Sequence, residues 1–391
     1  MTTTDPIFTA VSSNANHFYT LLRCVGFAAK ASVQITPDGL RFSVEEGRVM
    51  QGLAFLDKGL FTTYSFNVPV GDKSPDHNLD SNDDTSESMM YPHFIISLSA
   101  LLEALQIFGI NDTAANNSFT TTGANQQNTS ASNAFTTPAL LLDRSCTLRY
   151  SHIGSPLSIT ISEAGVITTC DLTTFEPDDP SFGSSAGELD IPLQRDAITM
   201  KIIMRSSWLH NAITELDSTN PTVLTLSASA RQEPFFSLSG AGGPFSESSV
   251  QFSIDKENES GNTMSHTTHK VLTEDGSSRS QAKKARLAPT VTETFLVNPP
   301  SSMGSRVRQN YHFALIRKAT RAMAVASKVS IRGDIQGVLS LQFMIELGGD
   351  NANSGGNVGG IQLPGGGFSG NVSFVDFRFV PLVDEDEGEG G

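Results

Sequence analysis

A short basic stretch near the C-terminal end has the residue types and the spacing to bind anions. Residues 311–328 contain five alanines and neither glycine nor proline, so they are predicted to form a helix. Arg317 and Arg321 are four residues apart and share one face of that helix, with Lys318 beside them. Guanidinium and ammonium groups in such a row bind phosphate oxygens, for example those of a DNA backbone. The alternative is a solvated helix face that binds nothing.

Residues that could perform catalysis or hold a metal do not converge in the sequence. Most acidic residues fall in predicted loops, and Glu45-Glu46 is the only acidic pair near the end of a predicted strand. The histidines are scattered, and the 3 cysteines are far apart without a CxxC motif, which favours reduced thiols over a zinc site. The glycine-rich stretch 348–370 has no lysine and therefore lacks the P-loop pattern. The sequence thus predicts no metal and no cofactor.

Charge is unevenly distributed along the chain. The formal net charge is −15, which by itself argues against general affinity for nucleic acid. Acidic residues concentrate in three stretches, at 72–87, 176–188 and 384–387. Basic residues concentrate in two, at 283–286 and 317–321. An acidic protein with a localised basic face can still bind DNA at that face. No apolar run approaches the length that crosses a bilayer, and the first ten residues lack a secretory signal, so no membrane interaction is predicted.

The order of predicted elements occurs twice. Each half reads as strand, helix, strands, helix and strands, and polar or low-complexity insertions interrupt both halves. The predicted first domain spans 1–175, with disordered insertions at about 71–90 and 111–137, and a linker at 176–195 follows it. The predicted second domain spans 196–382, with a disordered insertion at about 256–289 and a Gly-rich loop at 348–370. An acidic tail at 383–391 ends the sequence.

Two predicted hairpins indicate that the halves are related. Residues 148–159 and 331–341 each contain an arginine followed five residues later by a glycine, Gly154 or Gly337. The next strand then begins with Leu-Ser-Ile in the first half and Leu-Ser-Leu in the second. Each hairpin also follows a predicted helix. We interpret this correspondence as a weak internal duplication of one domain.

Five stretches together resemble one known family. They are FYTLL at 18–22, VQITPDGL at 33–40, WLHNAITEL at 208–216, the hairpin at 329–343 and DFRFVPL at 376–382. In this order they resemble PCNA-like sliding clamps, and among these the Rad/Rec-type subunit of the heterotrimeric DNA-damage checkpoint clamp. The resemblance covers nearly the whole chain outside the insertions. It implies an α+β DNA-clamp fold of two similar domains, each with two helices and antiparallel sheets, in which the helices line a central hole.

The resemblance also implies a function and partners. The chain would be one subunit of a ring that is loaded onto DNA at damage sites and serves as a platform for checkpoint signalling and repair. Its partners would be two other clamp-like subunits, an ATP-driven clamp loader, and double-stranded DNA bound without sequence preference. The residues expected to face DNA are Arg317, Lys318 and Arg321, together with Arg23, Lys30, Lys201 and Arg205.

Three other functions stay open at this point. The first is a 3′–5′ exonuclease, a chemistry that normally needs two metal ions about 4 Å apart, held by several carboxylates on rigid elements. Glu45 and Glu46 are the candidates for it, and we expect the chain not to be an enzyme. The second is a homotrimeric clamp of the replication type. The third is an adaptor whose sheets bind peptides, which needs neither a closed ring nor a basic inner helix.

Two predicted edge strands would join the neighbouring subunits of a ring. They are 166–175 in the first half and 250–254 in the second, and an open strand edge is a surface for pairing. The residues expected at the subunit interfaces are Val166, Thr168, Cys170, Leu172, Val250, Phe252 and Ile254.

A second basic cluster bears on location in the cell. Lys283, Lys284 and Arg286 lie close together in the insertion at 256–289, which is typical of a nuclear localisation signal. The predicted location is the nucleus.

Overall fold

Antiparallel strands make up about half of the described residues, with a few short helices between them. The computed structural model describes residues 5–67, 91–107, 145–163, 165–177, 190–244, 247–252, 292–301, 304–347 and 371–383. The strands are β1 (Phe8–Ser12), β2 (Lys30–Thr36), β3 (Gly39–Glu46), β4 (Met50–Asp57), β5 (Thr63–Phe66), β6 (His93–Ser97), β7 (Ser145–Tyr150), β8 (Leu157–Glu163), β9 (Val166–Leu172), β10 (Ile198–Arg205), β11 (Val223–Ala228), β12 (Phe236–Ala241), β13 (Ser248–Phe252), β14 (Thr292–Val297), β15 (Val307–His312), β16 (Lys328–Asp334), β17 (Leu339–Leu347) and β18 (Asn371–Phe379). The helices are α1 (Ala15–Cys24), α2 (Leu98–Ile107), α3 (Ser206–Asp217), α4 (Phe313–Arg317) and α5 (Thr320–Val325).

The strands form three sheets whose order repeats. The five-stranded sheet has the order β5-β1-β7-β8-β9, and the four-stranded sheet has the order β13-β12-β11-β15. The nine-stranded sheet reads β14-β10-β16-β17-β18-β4-β3-β2-β6. Its first five strands repeat the five-stranded sheet, and its last four repeat the four-stranded one, strand for strand. The fold is therefore α+β as predicted, and each half of the chain contributes strands to the nine-stranded sheet.

The two hairpins noted in the sequence occupy equivalent places in this repeat. β7 and β8 lie in the five-stranded sheet where β16 and β17 lie in the nine-stranded one. Arg149 is paired with Ser158, and Arg332 is paired with Ser340. Gly154 and Gly337 both adopt left-handed backbone conformations, with φ of +80° and +82°. Glycine reaches this conformation without steric cost, which explains its place in both turns.

The helices form one layer on a single face of the nine-stranded sheet. Helix α1 packs on β4 and β18, α2 on β2, α3 on β10 and β16, and α5 on β17. Helix α1 begins after Asn14, whose side-chain oxygen accepts a hydrogen bond from the Asn16 backbone at 3.1 Å. Its apolar stripe of Phe18, Leu21 and Leu22 is buried. We call this side of the sheet the helix face and the other side the outer face. None of the helices in the described segments is long and apolar enough to cross a membrane.

The predicted basic helix differs from what the structure contains. Its first two residues end strand β15, and its last residue begins β16. Between them the helix is broken at Lys318 and Ala319, where the Lys318 and Ala319 N–H groups donate to carbonyls three residues back. Ala319 is completely buried, and the Thr320 hydroxyl donates to the Arg317 carbonyl at 2.7 Å. The chain therefore turns a corner between α4 and α5 although no glycine or proline marks it.

The helix over 206–217 begins without a side-chain cap. A serine at the start of a helix favours capping, yet the capping position is Arg205 and no side chain accepts a hydrogen bond there. The buried Ser206 hydroxyl instead donates to the Met323 carbonyl of α5 at 2.8 Å. This serine therefore ties α3 to α5, a role that only the packing of the two helices reveals.

A joint between the halves crosses the middle of the nine-stranded sheet, where β18 pairs antiparallel with β4. On the helix face, the fully buried ring of Phe377 lies 6.1 Å from that of Phe27 and 5.8 Å from that of Phe343. Gly52 faces the same cluster, and a Cβ atom there would lie 2.7 Å from the Phe27 ring and 3.3 Å from the Phe377 ring. These contacts join residues of both halves in one hydrophobic core.

The end of the predicted linker is bound to the outer face. Asp190 forms an ion pair with Arg41 and accepts a hydrogen bond from the Gln51 amide at 2.8 Å. Arg378 donates to the Ile191 carbonyl at 2.7 Å. Residues 190–195 therefore lie across both halves. The insertions at 71–90, 111–137 and 256–289, the Gly-rich loop at 348–370, residues 178–189 of the linker and the tail from 384 lie outside the described residues, and the domain limits stay a prediction.

One half-buried histidine makes stability depend on pH. Burial, and secondarily the positive charge of Arg41, lower the pKa of His93 to about 4, and its ring contacts the Ser32 hydroxyl. The unfolded chain binds a proton at this residue near pH 6.5, whereas the folded chain does not until about pH 4. Stability is therefore lost as pH falls from 6.5 towards 4, by about 1 kcal/mol at pH 5.5 for this partly exposed ring.

Urea denaturation at pH 7.5 and pH 5.5 tests this expectation. The wild-type chain should lose about 1 kcal/mol more than His93→Gln between these two pH values. Glutamine is a suitable comparison because it is polar and does not titrate. Equal losses in the two proteins would show that His93 binds its proton equally well in the folded and unfolded chains.

Candidate nucleic-acid interface

Four of the predicted basic residues meet where the helices of the two halves come together. Helix α5 contacts both α1 and α3. The corner between α4 and α5 presents Arg317, Lys318 and Arg321 towards these two helices, and together they surround a cleft of about 690 Å³. The turn after α1 contributes Gly26 and Phe27 to the wall of this cleft.

Two of the three cations are engaged in ion pairs. Arg317 of α4 lies 3.1 Å from the Asp217 carboxylate at the end of α3, and both side chains are exposed. Lys318 forms an ion pair with Glu46, which ends strand β3 in the other half of the chain. Exposed or partly exposed pairs of this kind contribute little to stability, so a phosphate can compete for either cation. Arg321 is exposed and forms no ion pair with any residue in the described ranges.

Arg23 belongs to the same cluster. Its guanidinium lies 5.7 Å from the centre of the Tyr19 ring, a cation–π contact one turn away along α1. Burial raises the pKa of the neighbouring Cys24 thiol to about 12, although the positive charges of Arg23 and Arg321 act in the opposite direction. The thiol therefore stays protonated, and it donates to the Thr20 carbonyl at 3.2 Å. Cys24 is thus a packing residue between two cations, not a reactive thiol.

The other three predicted DNA-facing residues lie elsewhere. In β10, Met200, Ile202 and Met204 are buried on the helix face, so the alternate residues Lys201 and Arg205 lie on the outer face. Their strand partners in β16 are Arg332 and Lys328. Four cations therefore lie together on the side away from the helices.

Lys30 follows the same rule in the first half. It is exposed at the start of β2, where Ala31 and Val33 are buried towards the helices. By alternation Lys30 lies on the outer face. Of the seven predicted residues, Arg23, Arg317, Lys318 and Arg321 thus share one surface, and the other three do not.

Several residues in and beside the cleft had no signal in the sequence for a place there. Asp217 and Glu46 neutralise part of the basic cluster, and Glu46 lies 272 positions before its partner Lys318. Ile213 and Thr214 form the wall on the α3 side. The helical period places Thr214 and Asp217 on one side of α3, but only the packing against α4 and α5 brings that side to the cations.

The two predicted interface strands lie at edges of the sheets that the described strands form. β9 ends the five-stranded sheet and β13 ends the four-stranded one. Val166 and Thr168 are exposed, Cys170 is half-buried and Leu172 is buried. Strand β9 ends at Leu172, whereas the prediction extended to Phe175, which forms a single bridge with Ile95.

The other edge is similar. β13 begins at Ser248 and ends at Phe252, so the predicted start at Val250 was two residues late. Val250 is half-buried and Phe252 is buried. Ile254 lies outside the described residues, as do Lys283, Lys284 and Arg286 of the predicted nuclear localisation signal.

The carboxylates considered for nuclease chemistry do not form a cluster. Glu46 is paired with Lys318. The adjacent Glu45 lies on the opposite face of β3 and is exposed. In the ranges that the structure describes, no group of three or more His, Cys, Asp or Glu side chains is placed to hold a metal ion.

Comparisons with known proteins agree with this geometry. The family described as "Repair protein Rad1/Rec1/Rad17" matches residues 7–345. The "DNA damage checkpoint control protein rad1" of Schizosaccharomyces pombe is 29% identical over 371 residues, covering 94% of this chain and 84% of that protein. The "Cell cycle checkpoint protein RAD1" of Homo sapiens is 26% identical over 343 residues, covering 87% of each chain.

A solved structure establishes the fold independently. The crystal structure of PCNA from Thermococcus kodakaraensis superimposes with a TM-score of 0.52 at 14% sequence identity, covering 96% of this chain and all of that one. The repeated sheet order, the helix layer and the family match over most of the chain thus agree. The chain belongs to the Rad1/Rec1/Rad17 family of repair proteins and has the PCNA-like sliding-clamp fold.

Proposed function

We propose that this chain is one subunit of a ring-shaped DNA damage checkpoint clamp that encircles duplex DNA. Its role in the checkpoint follows from the family, whose matched members are checkpoint proteins. The clamp fold supports the ring. Arg23, Arg317, Lys318 and Arg321 supply the positive charge of the helix layer that would face the DNA.

The pairing of β18 with β4 inside the chain is the observation that supports a ring-shaped assembly. By the repeated strand order, β9 is the counterpart of β18, and β13 is the counterpart of β4. Within the described strands both counterparts lie at sheet edges and lack the partner that the internal joint has. We infer that each edge pairs with a neighbouring subunit as β18 pairs with β4.

The neighbours are two different clamp-like subunits in this proposal. Matched relatives of this chain function in a checkpoint, and the sequence resembles a subunit of a heteromeric clamp. The purified chain should therefore be a monomer, and it should form a complex of one copy with each of two partners. Light scattering on the chain alone and on mixtures measures both states. A stable homotrimer at micromolar concentration would identify a replication-type clamp instead.

Contact with DNA in this ring is electrostatic and independent of sequence. Cations on a helix surface bind backbone phosphates, which have the same geometry in every duplex. An ATP-driven loader opens and closes the ring around DNA at damage sites, and the clamp then serves as a platform for signalling and repair proteins. The clamp performs this function in the nucleus, where the DNA is.

Catalysis is not part of this proposal. Glu46 is already paired with Lys318, and a nuclease centre would need several carboxylates directed at the same metal ions. A metal-dependent nuclease assay on the wild-type chain and on the double variant of Glu45 and Glu46 to glutamine checks this. Activity in the wild type that the double variant lacks would establish an exonuclease.

Charge reversal of Arg321 should weaken the hold on DNA. Arg321→Glu is expected to leave folding intact because the side chain is exposed and forms no ion pair among the described residues. In the assembled ring it should lower DNA affinity and reduce the slope of log affinity against log salt by about 1. The measurement is the dissociation constant for a duplex at several salt concentrations.

Arg308→Glu is the matched control. Arg308 is also exposed, but it is paired with Ser227 on the outer side of the four-stranded sheet, away from the helices. The Arg308→Glu substitution makes the same change in net charge as Arg321→Glu. Because Arg308 lies away from the helices, the salt slope of this variant should stay close to that of the wild type. Equal slopes for both variants would remove Arg321 from the DNA-facing surface.

A further inference from the structure

The cleft at the joint between the helices is larger than a contact to backbone phosphates requires. Its volume of about 690 Å³ lies within the range of small-molecule sites, and it lies where the two halves of the chain meet. Its wall is partly apolar. Ile213 is buried and Phe27 is half-buried, and Gly26 adds no side chain. A phosphate on a smooth helix surface needs none of these features.

Polar groups surround this apolar wall on two sides. Arg317 and Arg321 lie on one side, and Thr214 and Asp217 of α3 lie on the other. Arg321 has no competing carboxylate among the residues of the described segments, and the Arg317–Asp217 pair is exposed and therefore weak. The cleft thus combines an apolar surface with cations that can hold one anionic group.

We propose that this cleft binds one unpaired nucleotide of single-stranded DNA, with its base against Phe27 and Ile213 and its phosphate between Arg317 and Arg321. Aromatic side chains next to cations are the usual means of binding single strands without sequence preference. A base within an intact duplex cannot enter because it stays stacked and paired. The inference deepens the proposed function, because it rests on the helix layer facing DNA.

Binding of short oligonucleotides to the full-length chain tests the proposal. The probes are fluorescein-labelled (dT)5 and an abasic strand with the same number of phosphates, followed by fluorescence polarisation. We expect (dT)5 to bind roughly tenfold more tightly than the abasic strand, because the base contributes through its contact with the apolar wall. Equal binding of the two probes, or no binding of (dT)5, would overturn the proposal.

Two variants of α3 locate the binding. Thr214 is exposed in the wall of the cleft, and its hydroxyl bonds only within its own helix, to the His210 carbonyl at 2.8 Å. Asn211 is exposed on the same helix, one turn earlier, and does not line the cleft. Thr214→Glu should weaken (dT)5 binding roughly tenfold, whereas Asn211→Glu, with the same charge, should change it less than about threefold.

The two variants separate this inference from the proposed function. Both should weaken retention of the ring on duplex DNA to a similar small extent, because each adds one negative charge to the same helix. Equal effects of the two variants on (dT)5 binding would place the oligonucleotide outside the cleft. If the wild-type ring holds duplex DNA but (dT)5 does not bind, the proposed function stands and the single-strand site falls.

Discussion

Proline at position 169 is expected to break one junction of the ring and leave the other intact. Thr169 lies in the middle of β9 and is exposed. Thr169 is paired with Thr160 of β8. In the equivalent pair of strands, Asp376 of β18 is paired with Gln342 of β17. Since Arg149–Ser158 and Arg332–Ser340 are also equivalent pairs, Thr169 corresponds to Asp376, which pairs with Leu53 at the internal joint.

The direction of the Thr169 N–H group follows from this equivalence. The Val380 N–H donates to the Val49 carbonyl at 2.9 Å, so the alternate residues of β18, including Asp376, direct their N–H groups towards β4. Thr169 is the residue of β9 that corresponds to Asp376 of β18. The Thr169 N–H group should therefore point away from β8, out of the edge of the sheet. Proline removes that donor and should weaken binding to one partner at least about tenfold.

Pairwise binding to each partner subunit measures this effect. Thr169→Val is the control, because valine retains the N–H group and suits a strand. The proline variant should lose one partner and keep the other, with a melting temperature near that of the wild type. Retention of both partners would mean that β9 is not a ring edge. Loss of both with a lowered melting temperature would mean that the substitution disturbs the fold instead.

Removal of the Phe377 ring should be the most destabilising single change considered for this chain. The side chain is fully buried at the joint between the halves, between the rings of Phe27 and Phe343. Gly52 leaves room for Phe27 beside it, so the surrounding residues are closely packed. Phe377→Ala leaves a cavity in this packing and is expected to cost about 3–5 kcal/mol in the free energy of unfolding.

Urea denaturation of Phe377→Ala and Phe374→Ala provides a matched comparison. Phe374 lies in the same strand but faces outward and is 49% exposed. Its replacement should cost less than about 1 kcal/mol, since an exposed ring is only partly removed from water. Similar losses for both variants would mean that the joint is not part of the common core.

The local elements of this protein were predictable because they depend on periods along the chain. The apolar residues of α3 recur at helical spacing, and the structure has a helix there, at Ser206–Asp217. Strand alternation and the recurring Arg and Gly of the hairpins revealed the repeat. These signals lie within a few residues of one another, so no knowledge of packing is needed to read them.

The site itself was only partly predictable. The basic residues of 317–321 stood out by composition, but the break at Lys318 and Ala319 did not, because buried contacts of Ala319 replace the usual glycine or proline signal. The ion pairs of Arg317 and Lys318 join residues 100 and 272 positions apart. No pattern along the chain indicates such a pairing, because it exists only once the helices and β3 have packed.

The sequence by itself determined the repeated order of strands and helices and the composition of the basic cluster. Only the tertiary structure decided which cations face the helix layer. Alternation along β10 separates Lys201 from its buried neighbours Met200 and Ile202, but it does not say which side of the sheet the helices cover. That choice is made when the two halves join through β18 and β4 and close one hydrophobic core over one face, which leaves Lys201 on the other.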